Sequence, residues 1–532
     1  MPKVTRQGER MKKLTVMQTL VLLCFLLSVQ NVAVYAQTAD KCKGMAAYQL
    51  SSPSSHITMA EWRQHYTPPA TPFAPPVTES FPPHCHIEGV LDQRTGYDNK
   101  SYAISFAINL PDKWNGRFLF QGGGGLNGSL NPPLGTAAAG DSPALSRGFA
   151  VASTDSGHKG QGPFDAGFVD DQEALLNFYQ FANARVTVVA KQIVADYYGR
   201  QAGHSYFVGC STGGREGMIM SQRFPYYYDG IVVGSPAMRT GFSNLALKWI
   251  SVSLNQVAPK DADGKPDRRR AFSDKQKQLI VNTLLKTCDA NDGVSDGMIF
   301  DSPGCRFDPA VLTCKAQQND SCLSQAQVQA LHKAFAGPKD SLGRQVYPGF
   351  LYDTGIDAQG FIPGLLAGGT SPVDAAGGVA MQQDIDAEAA AASEQLAAFG
   401  DSTWTNLNSF SGHGGKLIFY HGNSDPWFSA LDTIGYYEKM SAANGGMDQV
   451  SNWSRAFLVP GMGHCSGGQA LDHFDMLTAI VDWVEQGKAP EAVTATGKAF
   501  PGRSRPLCPY PEFAHYKGSG NTQDAANFEC RK

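Results

Sequence analysis

The sequence has no surplus of positive charge: its 532 residues carry 44 Lys and Arg against 48 Asp and Glu. That balance excludes the strongly basic footprint that a nucleic-acid partner requires. No low-complexity tract marks disorder; 57 Gly and 31 Pro are spread as turns are, among 42% apolar and 10% aromatic side chains. No apolar run reaches the roughly 20 residues of a membrane span, and no internal repeat is visible. Zinc spacings are missing as well. His84-Cys85-His86 and His464-Cys465 come without a Cys-x2-Cys or His-x3-His partner. What remains is a loop-rich globular chain, long enough at about 100–200 residues per domain for more than one unit.

The start of the chain is different in character. Lys3, Arg6, Arg10, Lys12 and Lys13 precede an apolar run from Leu14 to Val29, and Val34-Tyr35-Ala36 supplies the small residues of a cleavage site. Residues 1–36 therefore read as a secretory signal peptide. Cys24, with Leu23 before it, belongs to its apolar core and is not a lipid attachment site. Without the leader the chain holds 39 basic and 47 acidic residues, a net charge of −8. The expected product is secreted or periplasmic, with no membrane partner once the leader is gone. Ten cysteines then remain, Cys42, Cys85, Cys210, Cys288, Cys305, Cys314, Cys322, Cys465, Cys508 and Cys530. An even set in an oxidising compartment reads as disulfides.

Strands and helices alternate beyond a Pro-rich entry. Strand patterns occur at 103–108, 117–120, 149–153, 206–208 and 231–233, with a helical period from Asn177 to Tyr198 closed by Gly199. The rhythm then stops for about 180 residues rich in Ala, Gly, Gln and Asp. It resumes with a strand at 416–420, a helix at 430–440, a strand at 456–459 and a helix at 474–486. This pattern predicts a mostly parallel sheet flanked by helices, an α/β-hydrolase fold with a large inserted lid domain. The boundaries are a catalytic domain at 37–240, the insertion at 241–410 and the second catalytic part at 411–532.

Gly-x-Ser-x-Gly occurs twice, at Ser211 and at Ser295. The pattern carries meaning only where a strand ends and a helix begins, and Ser211 alone has that setting. A serine hydroxyl needs a base, and the base needs an acid to hold it. His464 lies on a turn just past the strand at 456–459. Asp425 follows the strand at 416–420, in the order Ser211, Asp425, His464 that α/β hydrolases use. Asp155 is the reserve acid. The oxyanion donors are expected at the N–H of Thr212 and in the run Gly122-Gly123-Gly124-Gly125, at Gly125 with Gly124 as neighbour. No Lys-Ser or Lys-Thr follows those glycines, which makes a phosphate-binding reading the weaker one.

Cys210 immediately precedes Ser211, and Cys465 immediately follows His464, so a bond between them would join the nucleophile turn to the histidine loop. The segments Gly209-Cys210-Ser211-Thr212-Gly213-Gly214-Arg215-Glu216-Gly217, Pro460-Gly461-Met462-Gly463-His464-Cys465 and Arg505-Pro506-Leu507-Cys508-Pro509-Tyr510 carry a likeness to a known family. Over essentially the whole mature chain the sequence resembles the tannase and feruloyl esterase family. The resemblance implies a serine carboxylic-ester hydrolase for aromatic acyl groups, hydroxycinnamoyl or galloyl. It also implies the pairings Cys42 with Cys85, Cys288 with Cys305, Cys314 with Cys322, and Cys508 with Cys530. The alternative substrate is a mono(2-hydroxyethyl) terephthalate-type ester. An exported peptidase and a catalytically inactive, calcium-stabilised binding protein are the rival classes.

In Cys288–Met298, carboxylates at Asp289, Asp292 and Asp296 are punctuated by glycines, which suits either a hard oxygen-loving cation or an Asp-rich surface turn. The spacing is not that of an EF-hand. The resemblance implies a structural calcium on Asp289, Asp292 and Asp296 with the carbonyls of Val294 and Met298, and no organic cofactor.

Overall fold

The computed structural model describes residues 38–68, 80–315, 319–360, 362–367, 372–395 and 400–532. The proposed leader 1–36, with Cys24, lies outside these residues. A nine-stranded sheet runs through the molecule in the order β1-β2-β3-β5-β4-β6-β7-β8-β9. The strands are β1 His56–Arg63, β2 His84–Thr95, β3 Ser101–Pro111, β4 Arg117–Gln121, β5 Ala150–Thr154, β6 His204–Cys210, β7 Gly230–Gly234, β8 Lys416–Gly422 and β9 Ser454–Val459. From β5 to β9 all neighbours pair in parallel, and β1, β2 and β3 extend the sheet antiparallel on one side.

The parallel strands are short and apolar throughout because helices cover both faces and leave no side to water. On one face the helices Ala182–Tyr198, Thr212–Arg223 and Ala430–Ala443 pack Ile193, Met218 and Tyr437 against Phe120, Phe207 and Phe419. On the other, Met476–Gln486 sets Ile480 and Trp483 beside Tyr206, Val232 and Ile418. Phe120 and Phe207 face each other across adjacent strands with ring centroids 5.5 Å apart.

The helical period at 177–198 divides in two. Asn177–Phe181 form a π-helical turn, and the α-helix follows as Ala182–Tyr198, ended by Gly199 at φ +72°. Arg215, buried in the helix Thr212–Arg223, explains the wide turn. Its guanidinium donates to the carbonyls of Phe178 and Tyr179 at 3.0 Å each, partners that an unbroken α-helix would keep for itself.

Between β7 and β8 the chain leaves the sheet for residues 235–415 and builds a helical body. Leu247, Ile250, Leu284, Leu331, Phe335 and Tyr347 belong to an apolar cluster of its own. Two of its helices, Asp274–Cys288 and Gln325–Ala336, begin with complete capping boxes, Ser273 with Gln276 and Ser324 with Gln327.

Five disulfides join Cys42 to Cys85, Cys210 to Cys465, Cys288 to Cys305, Cys314 to Cys322 and Cys508 to Cys530. They are the pairings the resemblance implies, and they remove Cys85 and Cys465 from any zinc site. Among the described residues no helix is long and apolar enough to cross a membrane.

Candidate active site

β6 ends at Cys210, Ser211 turns the chain, and a helix starts at Thr212. Ser211 adopts φ +64° and ψ −122°, a strained conformation for a side chain with a Cβ. Hydrogen bonds hold the turn from three sides. The Ser211 N–H donates to Gly234 O at 3.0 Å, and its carbonyl accepts from Arg215 and Ala237. Gly213 is required by contact: a Cβ there would lie 2.7 Å from Gly123 O and about as close to the Gly122 backbone. The nucleophile turn and the glycine loop thus touch through bare backbone. The second motif serine, Ser295, follows no strand; it lies just past the short turn Asp289–Asp292.

His464 stands beyond β9 on the turn that begins at Pro460, almost wholly buried. Its Nδ1 lies 2.8 Å from Asp425 Oδ2, while Nε2 is buried with no hydrogen-bond partner. With Nδ1 donating to a carboxylate, Nε2 carries the free lone pair of a general base. Asp425 follows β8 and its side chain is out of contact with water. Its Oδ1 accepts the N–H groups of Trp427 at 2.8 Å and Phe428 at 3.1 Å. Burial raises its carboxyl, but the charge of His464 and hydrogen bonds from His421 and His464 outweigh that and hold it well below the usual carboxylate range. Asp425 therefore stays ionised.

The Cys210–Cys465 bond, with Cα atoms 6.0 Å apart, ties the residue before Ser211 to the residue after His464. The structure thus brings Asp425 and His464 into contact and ties the turn that carries Ser211 to the loop that carries His464. Asp155 is elsewhere: its Oδ1 accepts the N–H groups of Ser105 and Gly157 at 2.9 Å, bracing the end of β5.

The glycine loop leaves β4 and bends over the nucleophile turn. Gly125 has φ +58°, and a Cβ on it would press within 2.4 Å of Pro163 O, whereas Gly124 has open space around it. The Thr212 hydroxyl donates to Gly125 O. The N–H groups of Thr212 and Gly125 have no backbone partner among the described residues, as two oxyanion donors require. Sequence reasoning missed what fixes this loop. Glu216, buried one turn into the helix, accepts the Gly123 N–H with Oε2 and Asn127 Nδ2 with Oε1, both at 2.8 Å. It missed His421 too, whose Nε2 lies 3.3 Å from Asp425 Oδ2 and 2.9 Å from Phe428 O. The signal for Glu216 was its place in the glycine-rich motif; for His421 it was only proximity in the strand before Asp425.

Aromatic rings surround the base. Trp427 and Phe428 set their ring centroids 5.5 and 5.3 Å from that of His464. Phe164, 51% exposed, packs 5.2 Å from Trp427.

The carboxylate loop 289–298 lies in the insertion. Asp289 accepts the N–H groups of Asp296 and Gly297, Asp292 Oδ1 accepts that of Val294, and Asp296 pairs with Arg505. Asp292 Oδ2 is buried with no partner. Burial pushes that carboxyl up to about 7 against its bond from Val294, and repulsion from Asp296 and Asp289 adds to the rise. Among the described residues no three His, Cys, Asp or Glu side chains converge as a ready ligand cluster. The donor set nevertheless suits a hard cation, because an orphaned carboxylate oxygen among further carboxylates is a charge that a cation would satisfy.

The family profile described as tannase and feruloyl esterase matches residues 85–368 and 369–531. The mono(2-hydroxyethyl) terephthalate hydrolase of Piscinibacter sakaiensis is 38% identical over 89% of this chain and 88% of its own. A probable feruloyl esterase B-1 of Neosartorya fischeri is 31% identical over 79% and 82%. Among solved structures, feruloyl esterase B of Aspergillus oryzae superposes with a TM-score of 0.76 at 25% identity, covering 93% of this chain and 100% of that one.

Proposed function

The chain belongs to the tannase and feruloyl esterase family and is a carboxylic ester hydrolase, and we propose that Ser211, His464 and Asp425 are its catalytic triad. One observation carries the assignment: a buried His464–Asp425 hydrogen bond of 2.8 Å whose imidazole keeps a free Nε2, clamped by a disulfide beside a strained serine. Ser211 Oγ attacks the acyl carbon while His464 Nε2 takes its proton. The N–H groups of Thr212 and Gly125 receive the oxyanion. His464 then returns the proton to the departing alcohol, and water releases the acid from Ser211 by the same steps in reverse. Asp425, ionised throughout, fixes the imidazole tautomer and stabilises its cation.

The substrate we propose is an ester of an aromatic acid, feruloyl or galloyl, acting outside the cytoplasm once the leader is removed. Five disulfides support an oxidising location, and the rings of Phe164 and Trp427 beside His464 support an aromatic acyl group. The second reading, a mono(2-hydroxyethyl) terephthalate-type ester, is favoured by the 38% identity to a hydrolase of that name. Comparing kcat/KM for methyl ferulate, methyl gallate and mono(2-hydroxyethyl) terephthalate decides between them. Preference for aliphatic acyl esters over all three would overturn the aromatic reading.

We further propose that calcium binds Asp289, Asp292 and Asp296 with the carbonyls of Val294 and Met298. When bound it supplies positive charge to the orphaned Asp292 oxygen and holds the insertion; it takes no part in the chemistry. A site loaded at a hundred times its Kd adds about 2.7 kcal/mol to the native state. Chelation is therefore expected to lower Tm by several degrees, and Asp292→Ala to reproduce most of that loss while no longer responding to chelator. A Tm indifferent to chelator, with no metal in elemental analysis, would remove calcium from the account.

A further inference from the structure

Asp353 lies in the insertion, beyond the helix Gln325–Ala336, and its exposure is 0%. Its Oδ2 accepts the Gly461 N–H at 2.6 Å and the Ser424 hydroxyl at 3.0 Å. Ser424 is the residue before Asp425, and Gly461 is three residues before His464. One carboxylate oxygen thus holds both loops that carry the proposed acid and base. Its other oxygen lies 3.4 Å from Ser302 Oγ, which in turn accepts Asn423 Nδ2 at 2.9 Å. The Gly355 N–H, two residues on, donates to Ser424 Oγ at 2.9 Å, so Ser424 is held from both sides by the insertion. The approach is tight: a Cβ on Gly355 would lie 2.4 Å from Gly461 O and 2.8 Å from Ser424 Cβ.

No Lys or Arg pairs with this carboxylate among the described residues; its partners are N–H and O–H groups. Burial pushes Asp353 up to about 6, with the bonds from Gly461, Thr354, Ser424 and Ser302 opposing the rise. A buried acid without a cation is costly, and an apolar side chain would fill the space more cheaply. An apolar side chain would not, however, hold Gly461 and Ser424 at a fixed separation.

We propose that Asp353 is a positioning residue for ester hydrolysis, through which the insertion sets the spacing of Asp425 and His464. The inference rests on the triad reading given above. It makes the inserted body part of the catalytic geometry as well as a cover beside it. Because neither Asp353 nor Ser424 is placed against substrate, the effect belongs in kcat, with substrate binding left in place.

The test uses the full mature chain, with active sites counted by a serine-directed phosphonate. Asp353→Ala is expected to lower kcat per titrated site by about 10- to 100-fold, the scale of a small misplacement of a catalytic group, with KM changed less than about threefold. Asp353→Asn keeps a carbonyl oxygen for Gly461 and Ser424 and is expected to restore kcat to within a few-fold of the parent. Ser424→Ala, which removes one arm and leaves the acid in place, is expected to lower kcat several-fold and serves if Asp353→Ala does not fold. Should Asp353→Ala or Ser424→Ala lose only titratable protein and keep full kcat per site, Asp353 is structural and the inference falls. A parent enzyme that takes up no phosphonate overturns the triad reading and this inference with it.

Discussion

Asp425→Asn is expected to lower kcat by about four orders of magnitude while leaving the protein folded. The amide is nearly the same size as the carboxylate, and Oδ1 can keep the N–H groups of Trp427 and Phe428. What changes is the partner of His464 Nδ1, 2.8 Å away. An Asn NH2 turned toward that nitrogen forces the proton to Nε2, which then has no lone pair for the Ser211 hydroxyl. The cation formed when His464 takes a proton also loses its counter-charge. His421, 3.3 Å from the same carboxylate oxygen, does not offset either loss, since it too presents nitrogen. Parallel falls in kcat and kcat/KM, with an unchanged Tm, would show that a transition-state interaction was removed. A loss under tenfold would place the acid elsewhere, with Asp155 the first alternative despite its bonds to Ser105 and Gly157.

The second large effect concerns the Cys210–Cys465 bond. Its ends are 255 residues apart in sequence, so closing that loop restricts the unfolded chain and adds stability, on the order of 5–6 kcal/mol in the loop-entropy account. The bond does more than cross-link, because each cysteine is covalently next to a proposed catalytic residue. Without it, the nucleophile turn keeps its ties to Gly234, Arg215 and Ala237, and the histidine loop keeps its tie to Asp353. The two halves then lose their direct link. A displacement near 1 Å between Ser211 and His464 costs about a hundredfold in rate. Cys210→Ala/Cys465→Ala is therefore expected to lose about two orders of magnitude in kcat per titrated site, beyond its loss of folded protein. Full turnover per titrated site in the double variant would reduce the bond to a stabilising one.

Much of this fold can be read from the chain because the parallel strands are buried on both faces. Phe118 to Phe120, Tyr206 to Val208, Ile231 to Val233 and Leu417 to Tyr420 are continuous apolar runs, each ending in glycine or a polar turn. β1 and β2 escape notice for another reason: no residue of β1 is fully buried, and β2 buries His84 and His86, which interrupt any apolar run. The insertion is opaque for a different reason: helices such as Ile385–Gln395, rich in Ala with scattered acids, have no marked apolar stripe. At the site, Ser211, Asp425 and His464 announce themselves by position after strands. Glu216, His421 and Asp353 act through contacts across 93, 4 and 108 residues of sequence. A buried carboxylate joined to a distant N–H leaves no periodicity to find. The π-helical turn at Asn177 is hidden in the same way, since its cause is Arg215 on another helix.

The central claim is that Ser211 forms an acyl-enzyme, and the direct measurement is the mass of the enzyme caught during turnover. Acid quenching with saturating methyl ferulate in the steady state, followed by peptide mapping, is expected to give a feruloyl adduct, at most one per chain, on the peptide containing Ser211. The adduct is expected to be absent from Ser211→Ala, which should also be inactive. A feruloyl group on any other residue, or turnover retained by Ser211→Ala, would contradict the account.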